Sequence, residues 1–233
     1  MNKDLKLVYD YQKEITILSQ VTGLLEWDQL TYMPTKGITS RSEQISLLSD
    51  LIHKKMISNE LFNSINNLRK IKLSEKENIM IKKLYKDILR SGKLPQEYVK
   101  ELSKTTSLAY DAWLKARKEK KFKKFQPYLE KIVKLKKQEC SFIKEPNHPY
   151  NSLLDQYEEG MTVEKIKPIF IKLKKDLINL LNKIKETDIY KKQKKVILKQ
   201  KFPVEKQRKI CEDVIKRMGL LNTFSRLDLT THP

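Results

Sequence analysis

The chain has 233 residues, 49 Lys plus Arg against 29 Asp plus Glu, and a formal charge of +20 at pH 7. That length fits one or two domains and suffices for a hydrophobic core without disulfides or metals. Five Gly and eight Pro exclude a collagen-like or Gly/Pro-rich disordered chain, and two cysteines exclude a disulfide scaffold. No stretch approaches the run of about 18 apolar residues that would cross a membrane, and the charged N-terminus does not read as a leader, so the expected location is the cytoplasm.

The dominant period is helical. Leu5, Val8, Tyr11, Ile15, Leu18, Val21 and Leu25 step by three and four, which predicts one helix with a buried stripe. Ser40 and Glu43 have capping-box spacing and predict the start of a second, running through Leu48, Leu51 and Ile52. Ser58 is the next start signal, and Ser74 with Glu77 opens a helix carrying Ile81, Leu84 and Ile88. Pro95 suits the first turn of a long helix reaching about Lys118. Gln126-Pro127 opens another, with Leu129, Ile132, Val133 and Leu135 inward. Thr162 caps a segment with Ile166, Ile169, Phe170, Leu173, Leu177, Leu180 and Ile184, and Pro203 to Gly219 reads as a last helix. Residues 195–202 and 224–231 are short, β-branched or alternating, and could form two strands. The expected fold class is mainly α: a helical array with at most a small β-ribbon near the C-terminus, residues 1–233 forming a single helical unit.

The charge invites a nucleic-acid partner, but its make-up argues the other way. Arginine stands only at 41, 69, 90, 117, 208, 217 and 226, so lysine supplies nearly all of it, and lysine sits cheaply on any exposed helix. Residues 165–210 hold 16 basic against four acidic residues, so the excess is concentrated in one long helix and its exit.

Few groups offer chemistry. The three histidines, His53, His148 and His232, are far apart and none is followed by Glu, so no HExxH helix exists and no metal site is visible. Cys140 and Cys211 lie in helical patterns and read as buried thiols. Asp155 and Glu159 share a helix face at i, i+4, a spacing that acid/base chemistry could use and that a solvated turn explains more simply. Trp27 and Trp113 read as core aromatics, with Asp28 a candidate cap for the next turn.

Longer words carry more. Leu24-Leu-Glu-Trp-Asp-Gln-Leu-Thr-Tyr-Met-Pro34, followed by Gly37, Arg41 and Gln44, resembles the opening motif of the carboxypeptidase Taq family of zinc metallocarboxypeptidases. Ala112-Trp-Leu-Lys-Ala-Arg117 with Phe122, Phe125, Pro127 and Leu129 resembles a second block of that family. His148-Pro-Tyr-Asn-Ser-Leu-Leu-Asp-Gln-Tyr-Glu-Glu-Gly-Met-Thr162 resembles a third, departing at Asn151 and Glu159. Phe202-Pro203, Gln207, Met218-Gly219, Arg226-Leu-Asp228 and His232-Pro233 resemble the run into the family's H-P-F motif, with Leu220 to Ser225 departing from it.

The resemblance implies a mostly helical peptidase that removes C-terminal residues from peptides, using a zinc-bound water with the Glu of HExxH as general base. It places the zinc helix downstream of H-P-F. This chain is therefore expected to be the N-terminal portion of such an enzyme, catalytically incomplete alone, with no catalytic or metal residue and no cofactor of its own; zinc or another divalent metal belongs to the complete enzyme. His232, Pro233, Arg226 and Asp228 take a groove-lining or supporting role by resemblance, while Tyr150, Asp155 and Tyr157 take a structural one. The implied partners are a peptide substrate in the complete enzyme, a separately encoded C-terminal half and a second copy in a homodimer; no membrane is implied, and nucleic acid is disfavoured. Two alternatives stay open: a basic helical module that binds nucleic acid or an acidic partner, and an inactive structural remnant.

Overall fold

The computed structural model describes residues 2–192, 201–220 and 225–231, and among these it is helical, with no strand. They group into two compact units. One runs to Tyr157 and includes Thr230 and Thr231; the other runs from Glu158 to Leu229.

In the first unit, α1 (Lys3–Thr31) starts where the Asn2 side chain accepts from the backbone N–H groups of Asp4 and Leu5. After a 3-10 turn at Thr35–Gly37 come α2 (Ile38–Met56), α3 (Asn59–Leu68) and α4 (Glu75–Gly92). Ser58 caps α3 through Leu61 N–H, and Ser74 with Glu77 closes a complete capping box on α4. Leu5 and Val8 of α1, Leu61, Ile65 and Leu68 of α3, and Ile81, Leu84 and Ile88 of α4 then meet in one core; Val8, Leu61, Ile65 and Leu68 are wholly inaccessible to solvent.

The second packing layer is different in kind. α5 (Gln96–Glu119) lies along α2 on the side that carries Ser103 and Ser107, and it buries the small side chains Thr105, Ala109, Ala112 and Ala116 on its other side, the side of Tyr98. The hydroxyls of Ser49 and Ser103 pair at 2.8 Å and Ser46 donates to the Lys100 carbonyl, so these three hydroxyls are satisfied across the seam. Then follow α6 (Gln126–Ile143), with Pro127 in its first turn, and the short α7 (Asn151–Leu154). The second unit comprises α8 (Val163–Glu186), capped by Thr162, then α9 (Asp188–Lys192) and α10 (Val204–Arg217).

Several expectations are corrected. α2 starts at Ile38 with Gly37 in the cap position, because the 3-10 turn after Pro34 already sets the helical direction; Ser40 falls inside the first turn. On α6 the inward row is Leu135, Glu139 and Ile143, which leaves Leu129 and Val133 on the solvent side. On α1 the stripe is buried through Ile15 and then opens, with Val21 43% exposed. Of the two expected strands, residues 193–200 and 221–224 lie outside the described residues, and 225–231 forms no ladder among the described residues. Cys211 is exposed rather than buried.

Candidate functional site

The end of α1 gathers the polar residues of its Trp27–Pro34 stretch. The Asp28 carbonyl accepts from the N–H groups of both Tyr32 and Met33, which ends the helix before Pro34. Its carboxylate does not cap that turn; it accepts from Arg41 Nη2 at 2.7 Å. Arg41 also donates to the Leu25 carbonyl and, through Nε, to Gln44 at 3.1 Å, so one guanidinium fork ties the end of α1 to α2. Met33 packs over Gly37, where a Cβ would come within 3.3 Å of Met33 Cγ. Gln29 exchanges two hydrogen bonds with Ser107, to its carbonyl at 3.1 Å and from its hydroxyl at 2.9 Å, and so ties α1 to α5.

On α5, Trp113 lies 5.6 Å from Tyr110 and beneath the Arg117 guanidinium, 5.3 Å from its ring centre. Arg117 also donates to the Thr231 carbonyl at 3.4 Å, and Thr230 donates its hydroxyl to the Leu30 carbonyl at 3.0 Å. Three stretches far apart in sequence thus converge: the end of α1, the end of α5, and the residues just before His232. A cavity of about 230 Å³ opens beside them, lined by Glu26, Gln29, Leu30, Ile45, Ser107 and Tyr110 among others. The arrangement holds backbone in place by hydrogen bonds and charge pairing.

A second polar centre escaped the sequence reading. Glu139 is buried and accepts from Arg90 at 2.7 Å and from Tyr98, Lys136 and Gln156 at 2.8 Å. Burial alone would raise its pKa, but the hydrogen bonds from Lys136, Tyr98 and Arg90 outweigh it and hold the carboxyl below its ordinary value. Burial, then the Glu139 carboxylate, push the Tyr98 phenol upward. Gln156 comes from the stretch after His148, and its neighbour Asp155 pairs with Lys86 at 2.9 Å. That stretch therefore docks on α4 and α6 through its side chains, while Tyr157 stays exposed. The usable signal was the inward i, i+4, i+8 row of Leu135, Glu139 and Ile143.

Of the four expected groove residues, Arg226 and Asp228 pair with each other at 2.9 Å in the second unit, and Arg226 lines a cavity of about 460 Å³ together with Arg208 and Glu212; His232 and Pro233 lie outside the described residues. His53 is buried, not at a polar edge, and its Nε2 lies 3.0 Å from the Ser91 carbonyl oxygen. His148 is exposed and its Nδ1 accepts from Tyr150 N–H. Among the described residues no group of three His, Cys, Asp or Glu side chains is placed to hold a metal ion, so the residues present do not fit one. No helix among the described residues is long and apolar enough to cross a membrane.

A family model described as carboxypeptidase Taq (M32) metallopeptidase matches residues 8–233. The chain is 31% identical to thermostable carboxypeptidase 1 of Pyrococcus furiosus over all of its length, covering 47% of that protein. It is 30% identical to carboxypeptidase 1 of Bacillus subtilis over 98% of its length, covering 46% of that protein. Among solved structures, the BsuCP crystal structure aligns with the whole chain at a TM-score of 0.92 and 29% identity, and the apo-Mg carboxypeptidase of Pyrococcus furiosus at 0.78 and 30%, each over 47% of the longer chain. The chain spans about half the length of the relatives it matches.

Proposed function

Because the chain belongs to the carboxypeptidase Taq (M32) metallopeptidase family, we propose that residues 1–233 act as one unit: the N-terminal helical portion of a cytoplasmic metallocarboxypeptidase that, when complete, removes C-terminal residues from peptides. The observation that carries this reading is the match of the family model along residues 8–233. The portion is catalytically incomplete alone. A divalent metal, zinc by the family's resemblance, is held by residues of the other half.

The contribution of this portion is positional. The Arg41–Asp28 and Gln29–Ser107 bonds lock α1, α2 and α5 together, and that locked end receives Thr230 and Thr231 through Leu30 and Arg117. By the family's resemblance, His232, Pro233, Arg226 and Asp228 take a groove-lining or supporting role. The catalytic half is supplied as a second polypeptide, and the assembled enzyme pairs as a homodimer.

The test is direct. The purified chain, dialysed against zinc, is assayed for bound metal and for release of the last residue from a blocked dipeptide. Neither stoichiometric zinc nor release is expected. A 1:1 zinc content accompanied by trimming would overturn the reading.

A further inference from the structure

α8 has the pattern of a core helix and none of the burial. On the 100° spacing of an α-helix, Ile166, Ile169, Phe170, Leu173, Leu177, Leu180, Leu181 and Ile184 fall on one face. Of these, Ile169, Phe170, Leu173, Leu177, Leu180, Leu181 and Ile184 are 41–57% exposed, and no residue of the helix is buried. The corresponding row of α4, Ile81, Leu84 and Ile88, is 2–7% exposed. An apolar face of that length left in water marks an interaction surface.

The borders of the face are as regular as its centre. Lys165, Lys172 and Lys183 run along one edge, where Asp176 interrupts them, and Lys167, Lys174 and Lys185 run along the other, with Ile171 and Ile178 exposed just beyond it. Ile210 and Val214 of α10, with Met218 at its C-cap, repeat the motif on a smaller scale, at i, i+4 and i+8, all exposed.

The length of the relatives bears on what could cover it. The BsuCP structure aligns with all of this chain at a TM-score of 0.92, yet this chain accounts for only 47% of it. In the BsuCP chain the fold shared with these residues is about half of the polypeptide. We propose that the apolar face of α8 is the docking surface for the polypeptide corresponding to the second half of these relatives, and that this partner meets it with an apolar centre and a rim of carboxylates facing the two rows of lysines. The identity of the partner rests on the function proposed above; the location of the contact rests on α8 itself. The apolar centre supplies the affinity, and the lysine rows supply orientation and a salt-sensitive association rate.

The probe is the C-terminal half of Bacillus subtilis carboxypeptidase 1, produced separately and mixed with the full 233-residue chain. Sedimentation velocity and titration at low and high salt are expected to give a 1:1 complex. Hydrogen exchange of residues 163–186 is expected to slow within it. Leu173→Gln with Leu177→Gln keeps helix propensity and removes the centre of the face; it is expected to weaken Kd at least 100-fold at unchanged helical circular dichroism. Leu47→Gln, on an exposed position of α2, is expected to leave Kd unchanged. Lys172→Glu with Lys174→Glu is expected to slow association several-fold and flatten its salt dependence. The proposal is overturned by the absence of a complex, by a complex indifferent to the double Gln variant, or by a dimer of this chain alone that the same variant dissolves. If the complex forms at α8 but releases no residue from a blocked dipeptide with zinc, the functional reading fails and the docking surface stands. Release that survives the double Gln variant has the opposite meaning.

Discussion

α4 and α8 are written in the same code and end in opposite environments. Each opens with a hydroxyl cap, Ser74 or Thr162, and each carries large apolar residues at three- and four-residue steps. α4 buries Ile81, Leu84 and Ile88 against α1 and α3, whereas no residue of α8 is fully buried. Periodicity dictates that a stripe forms; it is silent about which polypeptide covers the stripe. Most of the stability of an amphipathic helix comes from that cover, not from propensity, so the two units should respond differently to the same kind of substitution.

The largest difference should appear at the buried charge of the first unit. Glu139→Ala removes the acceptor of four donors and strands the buried Tyr98 hydroxyl and the partly buried Arg90, and should cost about 3–5 kcal/mol in denaturant unfolding followed by circular dichroism. A cost below 1 kcal/mol would mean that Arg90 and Tyr98 find other partners and that the centre is not a keystone of this unit. The carboxyl also has a pH signature. Its folded pKa is held below the ordinary 4.5, so its stabilisation is complete above that value and is lost as pH falls through the lower folded value. Wild-type stability should therefore drop below about pH 4.5, and Glu139→Gln should flatten that part of the profile.

Cores come next. Leu61 is wholly inaccessible, and Leu61→Ala should cost about 2–5 kcal/mol, while Leu173→Ala, at a position 47% exposed, should stay below about 1 kcal/mol in the chain alone. Equal costs at the two positions would break the comparison, because they would mean that α8 is already covered. Between these lies Arg41→Ala, which severs charged hydrogen bonds to Asp28 and should cost about 1.5–3 kcal/mol. Arg41→Lys should recover less than half of that, since an ammonium cannot reach Asp28, Leu25 and Gln44 from one planar fork.

What was legible follows the range of the interaction. Ser58, Ser74 with Glu77, Thr162 and Pro127 mark helix starts through bonds or dihedrals within one turn, and the structure places each helix where they say. Ser40 misled because a nearby Pro34 and 3-10 turn start α2 earlier. The words around Trp27 to Gln44 identified the family, yet nothing in their spacing says that Arg41 reaches back 13 residues to Asp28, or that Gln29 meets Ser107 across 78. Glu139 was invisible for the opposite reason: a charge on an inward row reads as an interruption of the row until its donors, drawn from α4, α5, α6 and the turn after α7, are seen together.

The smallest effect is also the cleanest discriminator, because it changes the same chemistry in both units. Ser74→Ala and Thr162→Ala each delete a hydroxyl that accepts a backbone N–H at a helix start, a loss of about 0.5–2 kcal/mol of helix stability. In α4 that helix is part of the core, so the loss should appear in full as a shift of the global unfolding midpoint, with amides of α1 and α3 exchanging faster as well. In α8 no buried side chain couples the helix to a core, so Thr162→Ala should speed exchange within residues 163–186 while leaving the amides of α1, α3 and α4 unchanged. Addition of the partner that covers α8 should then transfer the Thr162→Ala effect from local opening to the global transition. If Thr162→Ala instead moves the midpoint of the chain alone as far as Ser74→Ala does, α8 is already a cooperative part of the folded body and the contrast between the two helices is wrong.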